Sequence, residues 1–278
     1  TYAALSNPSA NQRGYYYNIN LYGGLSYNNH FGKHGIDAKL FSRFYRNEEA
    51  GSDYSSQQSA SSNRYLSYNL AATYDYNNRY IASFNFSRMG CDNFSEDDRW
   101  GSFWGASAGW NISEENFMKN ADFVNQLKLR ASYGVTGQSH TGSGRYPYQS
   151  TYAQGTGYGF GYNATYINGF YERLAGNPNN KWEISKMLNV GLDWDLWNKK
   201  IYGSVDIFKE WRSKILVTRS TVPETVLGVS MAQDSYGKAE SKGFEVILGH
   251  RNRIGDFKYF IEGQLTYSTN KVTDMDET

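Results

Sequence analysis

The stretch NVGLDWDLWNKKIYGSVDIFKEW, residues 189–211, alternates apolar and polar side chains on both sides of a short basic turn. Before the turn, every second residue is apolar: Val190, Leu192, Trp194 and Leu196. After the turn, the alternation resumes with Ile201, Gly203, Val205 and Ile207. Because successive side chains of an extended chain point to opposite faces, the stretch predicts two long strands joined by a tight turn. Each strand has one apolar face and one polar face.

The same alternation recurs along the whole chain. It is found in eight further segments: 15–27, 36–44, 66–76, 80–86, 101–112, 127–135, 242–249 and 257–267. Aromatic residues make up 17% of the chain, which also contains 28 glycines and only 4 prolines, and this composition favours strands and turns over helices. The sequence therefore predicts an all-β protein of about ten strands.

The connections between these strands alternate between short and long. The short ones are 29–35, 76–79, 197–200 and 250–256. The long ones are polar or rich in glycine and cover 47–62, 91–100, 138–183 and 213–238. The segment SEENFMKNADFV (113–124) falls on the short side, and Ser113 is expected to cap a brief helical turn there.

An antiparallel meander of long hairpins, with short turns at one end and long loops at the other, is typical of part of a large transmembrane β-barrel. The apolar face then contacts lipid and the polar face lines the interior. A soluble sandwich of two sheets is the alternative, but its strands are usually shorter, about 5–6 residues. Aromatic residues near the strand ends fit the girdles of a barrel: Tyr15, Tyr27, Tyr76, Tyr80, Phe257 and Tyr267.

Composition excludes several other classes. The net charge of +1 gives no basic surface for nucleic acid. No apolar run approaches the roughly 20 residues of a membrane helix, and the first residues carry no signal-peptide pattern. Cys91 is the single cysteine, which excludes a disulfide framework and a cysteine-based metal site.

No catalytic, cofactor or metal constellation stands out in the sequence. The four histidines fall in predicted turns or loops without ligand spacing: His30, His34, His140 and His250. Acidic residues cluster in one loop, at Asp92, Glu96, Asp97 and Asp98. Such oxygen ligands can hold Ca²⁺, but the regular spacing of a calcium loop is missing. A solvated loop, or one paired with the adjacent Arg99, is therefore favoured over a cation site.

Four motifs resemble those of one family. They are YNNRYIASFNFSRMGCDNFSEDDRWGSFWGASAGWNISEENFMK (76–119), LKLRASYGVTGQ (127–138), KWEISKMLNVGLDWDLWNKKIYGSVDIFKEWRSKILV (181–217) and KGFEVIL (242–248). In this order they resemble the barrel motifs of SusC/RagA-like TonB-dependent outer-membrane transporters. The chain departs from that pattern at residues 89–92, which replace an acidic-Gly-Ser-Ser turn, at Trp104, where Pro is usual, and at Gln138, where Asn is common. These changes lie in loops or at strand ends and leave the expected barrel intact.

The resemblance implies a fold, a location and partners. Family members have a 22-stranded barrel and a plug, so residues 1–278 are expected to form a partial barrel without the plug, the TonB box or the terminal strands. Ten strands would leave two unpaired edges, which a bilayer does not tolerate. The implied function is import of an oligosaccharide or oligopeptide across the cell outer membrane, without chemistry on the substrate. The implied partners are a SusD-like surface lipoprotein that acts as a lid, the TonB complex and the lipid bilayer.

The segment 143–183 is the candidate site for substrate or partner, because it is too long for a passive turn and dense in aromatic residues. Its tyrosines offer flat, amphipathic faces suited to sugar rings or peptides: Tyr146, Tyr148, Tyr152, Tyr158, Tyr162 and Tyr166. Packing of these rings against one another is the alternative. Charged residues of the polar face would solvate the interior or face the plug: Lys128, Arg130, Asp193, Asp195, Asp206 and Glu262.

Two other functions stay open at the level of sequence. A soluble all-β module that binds or cleaves glycans would use the tyrosine-rich segment as its cleft, although no pair of carboxylates is nominated for hydrolysis. A passive barrel or adhesion scaffold would share the strand pattern but lack energy-coupled transport.

Overall fold

The computed structural model describes residues 15–50, 62–139, 146–162, 165–218 and 224–276. In chain order the strands are β1 (Tyr15–Phe31), β2 (His34–Ala50), β3 (Ser62–Tyr76), β4 (Tyr80–Cys91), β5 (Trp100–Asn111), β6 (Val124–Gln138), β7 (Thr151–Gln154), β8 (Tyr158–Phe160), β9 (Thr165–Ile167), β10 (Phe170–Ala175), β11 (Glu183–Leu196), β12 (Ile201–Val217), β13 (Ser230–Met231), β14 (Asp234–Ile254) and β15 (Phe257–Asp274). Two 3₁₀ turns, Ile112–Glu114 and Asn116–Met118, and one α-helical turn, Glu224–Leu227, complete the described elements.

Ten long strands form one sheet in the order β1-β2-β3-β4-β5-β6-β11-β12-β14-β15, and every neighbouring pair is antiparallel. All ten correspond to strands predicted from the alternation. Most extend further toward the long loops than the apolar pattern does; β14 has 21 residues, against the eight predicted at 242–249. Backbone pairing continues there because it needs no apolar side chain.

The hairpin turns are tighter than the sequence suggested. Phe31 pairs directly with His34, and Ile254 with Phe257, so each of these turns has two residues. Their first residue, Gly32 or Gly255, has a φ of +64° or +61°, a left-handed conformation that glycine adopts without steric cost. These turns hold the register that keeps all apolar side chains of neighbouring strands on one face.

That apolar face is uncovered. The register aligns Leu192, Val205, Val246 and Leu265 in one row across β11, β12, β14 and β15. Two leucines on this face, Leu25 and Leu265, are 77% and 59% exposed. Among the described residues, no helix and no second sheet packs over the ten strands. Exposure of this kind costs about 25 cal/mol per Å² in water, so the face suits a hydrocarbon solvent.

One small core lies at the loop end of the sheet. It consists of Cys91, Phe94, Phe103 and Trp182, and the Trp182 ring lies 5.0 Å from the Phe94 ring and 5.3 Å from the Phe103 ring. Polar contacts reinforce the same junction: the Ser95 hydroxyl donates to the Pro178 carbonyl at 3.1 Å. The core therefore fastens the loop 92–99 to the start of β11.

Short elements occur inside two of the predicted long loops. Strands β7, β10 and β13 form a three-stranded sheet, and β8 and β9 form a hairpin. The predicted helical turn after β5 is present as 3₁₀ turns, but the predicted Ser113 cap is wrong. The first turn begins at Ile112, so Asn111 is at the cap position and makes no side-chain capping bond, while Ser113 lies inside the turn. Within the described ranges, no helix has both the length and the apolar character needed to cross a membrane.

The loop-end core can be tested with matched phenylalanines. We expect Phe94→Ala, at a side chain that is 1% exposed, to lower the free energy of unfolding by about 3–5 kcal/mol, because it empties the centre of the core. Phe117→Ala, at a side chain 67% exposed in a short connection, is the control and should change it by less than about 1 kcal/mol. Urea unfolding of the protein in detergent measures both, and equal effects would contradict the assigned core.

Candidate functional site

An arginine fork between two carboxylates dominates the polar face of the sheet. Arg130 on β6 donates from Nε to Asp193 Oδ2 at 3.0 Å, and from Nη1 and Nη2 to Asp206 at 2.7 and 2.6 Å. Asp193 is on β11 and Asp206 on β12, so the fork ties three adjacent strands together. Paired bonds from a planar guanidinium to carboxylates have well-defined geometry, and the group holds the two acidic side chains in fixed positions.

Gly191 creates the space for this fork. It pairs with Arg130 on one side and with Asp206 on the other. A Cβ atom at this position would lie 2.6 Å from Arg130 Cζ and 2.7 Å from Asp206 Oδ1, so any larger residue would displace the guanidinium. All three charged residues were predicted to lie on the interior face, whereas this role of Gly191 was not predicted from the sequence.

A second polar group lies nearer the short turns. Arg251 Nη2 donates to Asp195 at 3.1 Å, and its guanidinium lies over the Tyr202 ring at 4.8 Å from the ring centre. The Tyr202 hydroxyl in turn donates to Glu262 Oε2 at 2.9 Å. Asp195 on β11 and Glu262 on β15, both predicted to face the interior, are therefore each held on the polar face by a side chain from two strands away.

A carboxylate clamp lies at the short-turn end and was not foreseen. Glu115 accepts hydrogen bonds from the Tyr80 hydroxyl at 2.5 Å and from the Trp110 indole N–H at 3.0 Å, and lies 3.3 Å from the Arg79 guanidinium. Tyr80 and Trp110 are direct partners across β4 and β5. The proximity of Tyr80 and Trp110 could have been predicted from the sequence, because it follows from the register of β4 and β5 once their connection is known.

The six candidate tyrosines do not form one surface. Tyr146 and Tyr148 meet edge to face at 6.0 Å, and the Tyr146 hydroxyl lies 3.5 Å from Asp92 Oδ2. Both line a cleft of about 390 Å³ together with Arg99 and Trp100. The other four are exposed on or beside the short loop strands: Tyr152, Tyr158, Tyr162 and Tyr166.

The acidic loop 92–98 does not gather its carboxylates. Asp98 lies 3.8 Å from Lys181, and Asp92 lies near Tyr146, whereas Glu96 and Asp97 are exposed. No group of three or more histidine, cysteine or acidic side chains suited to a metal occurs in the described part of the chain. His34 and His250 contact the hydroxyls of Tyr74 (2.8 Å) and Tyr259 (3.2 Å), and His140 lies outside the described residues.

The space that Gly191 leaves for the Arg130 guanidinium predicts a steric effect of substitution. We expect Gly191→Ala to lower the free energy of unfolding by about 1–3 kcal/mol, because the new methyl group forces Arg130 away from its carboxylates. Gly23→Ala on β1 is the control, since a Cβ atom there meets nothing within 4 Å. If chemical unfolding in detergent gives both variants the same stability, the fork does not depend on the gap.

The Glu115 clamp predicts a dependence on pH. The Tyr80 hydrogen bond, then the Trp110 bond and the Arg79 charge, hold the pKa of Glu115 below its ordinary value of 4.5. The folded state therefore favours the ionised carboxylate, so its stabilisation is present above pH 4.5 and is lost as the pH falls through the lowered pKa. Glu115→Gln should be less stable than the wild type at pH 7, and this difference in stability should disappear toward pH 3.

Thermal unfolding, followed by heat-modifiable gel mobility, measures this difference in stability. The exposed neighbour provides the control, because Glu114→Gln should leave the pH profile of the wild type unchanged. A Glu115→Gln variant whose profile runs parallel to that of the wild type at all pH values would refute the clamp.

Comparison with known proteins agrees with this two-faced sheet. The family model described as "TonB dependent receptor-like, beta-barrel" matches residues 2–278. TonB-dependent receptor P39 of Formosa agariphila is 33% identical over 203 residues, covering 73% of this chain and 19% of that receptor. TonB-dependent receptor SusC of Bacteroides thetaiotaomicron is 32% identical over 222 residues, covering 78% and 21%. This chain thus spans about a fifth of the length of the curated relatives it matches.

Solved structures share the fold. The structure of the RagAB peptide transporter aligns with a TM-score of 0.77 at 17% identity, covering 94% of this chain and 31% of that chain. The siderophore receptor PirA from Pseudomonas aeruginosa aligns with a TM-score of 0.63 at 15% identity, covering 93% and 44%. The fold class predicted from the alternation and the resemblance carried by the motifs are both confirmed. The chain belongs to the TonB dependent receptor-like, beta-barrel family and is part of an outer-membrane β-barrel of the SusC/RagA type.

Proposed function

We propose that this chain is part of the barrel wall of a TonB-dependent transporter that imports an oligosaccharide or oligopeptide. The observation that carries the proposal is the division of one continuous sheet into a bare apolar face and a polar face with fixed, paired charges. A polar wall whose charges are mutually neutralised can remain hydrated without trapping a passing solute, as a transit path requires. The bare apolar face counts against a soluble glycan module.

The proposed domain is a partial barrel, residues 1–278. Within the described residues, β1 and β15 each pair with a strand on one side only. Open edges in hydrocarbon leave backbone groups unsatisfied, so further strands of the same protein close the barrel in this proposal. The plug and the TonB box belong to that further sequence, and the TonB complex supplies energy through them.

The candidate contact surface is the tyrosine-rich segment at the loop end. Tyr146 and Tyr148 line a cleft that also contains Arg99, while the four exposed tyrosines form a separate, more accessible set. We assign the cleft to substrate and the exposed set to a SusD-like surface lipoprotein that closes over the barrel. Exposed aromatic side chains are enriched at protein interfaces, which supports this division.

Substrate class and energy coupling can be tested together in the native organism. Deletion of the gene should abolish growth on one class of polymer, oligosaccharide or oligopeptide, as sole carbon source, and deletion of tonB should reproduce the defect. Growth that depends on the gene but not on tonB would indicate a passive barrel. Growth unaffected on both polymer classes would overturn the proposed import.

The division of the tyrosines has its own test. Combined Tyr152→Ala, Tyr158→Ala, Tyr162→Ala and Tyr166→Ala should reduce co-purification of the lipoprotein by at least about tenfold, the scale of losing one interface anchor. Tyr146→Ala with Tyr148→Ala should instead reduce uptake of labelled substrate while the lipoprotein is retained. Tyr27→Ala, on the lipid-facing side of β1, is the control for both. The reverse pattern of defects would contradict the assignment.

A further inference from the structure

Four lysines lie on the outer face of the sheet, in two adjacent rows just beyond the apolar band. The row of Val190, Ile207, Phe244 and Tyr267 crosses β11, β12, β14 and β15 and is exposed. The next two outward positions toward the long loops carry a cluster that we call the lysine belt: Lys209 and Lys242 in the nearer row, and Lys186 and Lys271 beyond Leu188 and Thr269. The outer surface therefore changes from apolar to cationic within two to four residues along each strand.

The height of this change matches a membrane boundary. The outward side chains of β15 run from Phe257 to Tyr267, ten residues apart. At about 3.3 Å per residue and a strand tilt of about 40°, this run rises roughly 25 Å, the height of the apolar band of an outer-membrane barrel. Phe244 and Tyr267, whose rings lie 5.7 Å apart, form the aromatic edge of the band. Lys242 and Lys271 then lie at the level of lipid headgroups on the loop side, which is the outer leaflet.

The charges of the belt are poorly balanced within the described chain. Glu240, the register partner of Lys271, pairs with Lys209 at 3.3 Å, and no described acidic side chain forms an ion pair with Lys186, Lys242 or Lys271. Four lysines against one glutamate leave a charge of +3. The next polar pair toward the loops, Lys238 with Asp274 at 2.9 Å, is neutral.

Two lysines of the belt face each other directly. Lys209 on β12 and Lys242 on β14 are register partners. Like charges directly opposite on neighbouring strands destabilise a sheet, and Glu240 neutralises only the Lys209 charge of this pair. Trp211, whose ring centre is 4.9 Å from Lys209 Nζ, adds an amphipathic ring of the kind found at membrane interfaces.

We propose that the lysine belt binds the phosphate groups of an outer-leaflet lipid headgroup, whose acyl chains lie against the apolar row below. Phosphate oxygens accept several hydrogen bonds from ammonium groups, and basic residues at a membrane boundary attract anionic headgroups. A lipid fits this surface better than free phosphate, because the apolar row directly adjoins the charges. The proposal is independent of what the barrel transports.

Native mass spectrometry of the full-length protein in detergent tests this site. The probes are phosphorylated lipid A, its dephosphorylated form and inorganic phosphate. The wild type should retain phosphorylated lipid A and bind the dephosphorylated form at least about tenfold more weakly. Replacing Lys186, Lys209, Lys242 and Lys271 by Gln should weaken lipid A binding by about 10- to 100-fold, whereas replacing all four by Arg should preserve it.

The matched control removes the same charge from the other end of the sheet, by Gln at Lys33, Lys119, Lys199 and Lys200. It should bind lipid A as the wild type does. Equal losses in both quadruple variants would overturn the proposal, since the attraction would then be diffuse. So would equal binding of the dephosphorylated lipid, or inorganic phosphate binding as tightly as lipid A.

A single substitution covers the case in which the quadruple variant fails to fold. Lys242→Gln relieves the repulsion with Lys209, so it should not lower the melting temperature in lipid-free detergent. Added lipid A should raise the melting temperature of the wild type more than that of the variant. An equal rise in both proteins would refute the site.

Discussion

Hydrocarbon offers no hydrogen-bond partner to the peptide backbone, and this constraint accounts for most of the molecule. Every N–H and C=O group that enters the bilayer must pair within the protein. Long antiparallel strands in chain order satisfy that demand with the simplest connections, because each hairpin pairs with the hairpin before it. The tight turns at Gly32 and Gly255 then hold the register on which the two-faced character depends.

Because the two faces are separate, the polar residues line the inner wall, a role that differs from that of residues in the core of a soluble protein. Arg130 is held between Asp193 and Asp206, and Arg251 lies beside Asp195 and over Tyr202. Both guanidiniums are paired across strands, so the inner wall carries many charged groups but little unbalanced charge in this region. The outer wall, by contrast, carries the lysine belt at its loop-side margin, where few acidic residues oppose the lysines.

The alternation of Val190, Leu192, Trp194 and Leu196 was enough to predict the strands, since period and face depend only on local sequence. Features that depend on atoms meeting across strands were not predictable in the same way. The gap at Gly191 and the clamp at Glu115 require the register of three strands or the path of a connection. The small strands β7 to β10 have too few residues for a periodic signal. The Ser113 cap was placed wrongly because capping depends on which residue begins the turn, a boundary that local pattern leaves undetermined by one or two residues.

The loop-end core makes the only thiol of the chain inaccessible. Cys91 is 1% exposed beneath Phe94 and Trp182, so an alkylating reagent can reach it only when the loop 92–99 lifts away from the start of β11. Its rate of labelling therefore measures the opening of that loop, without any engineered probe. In living cells the same reaction would report how often that loop opens.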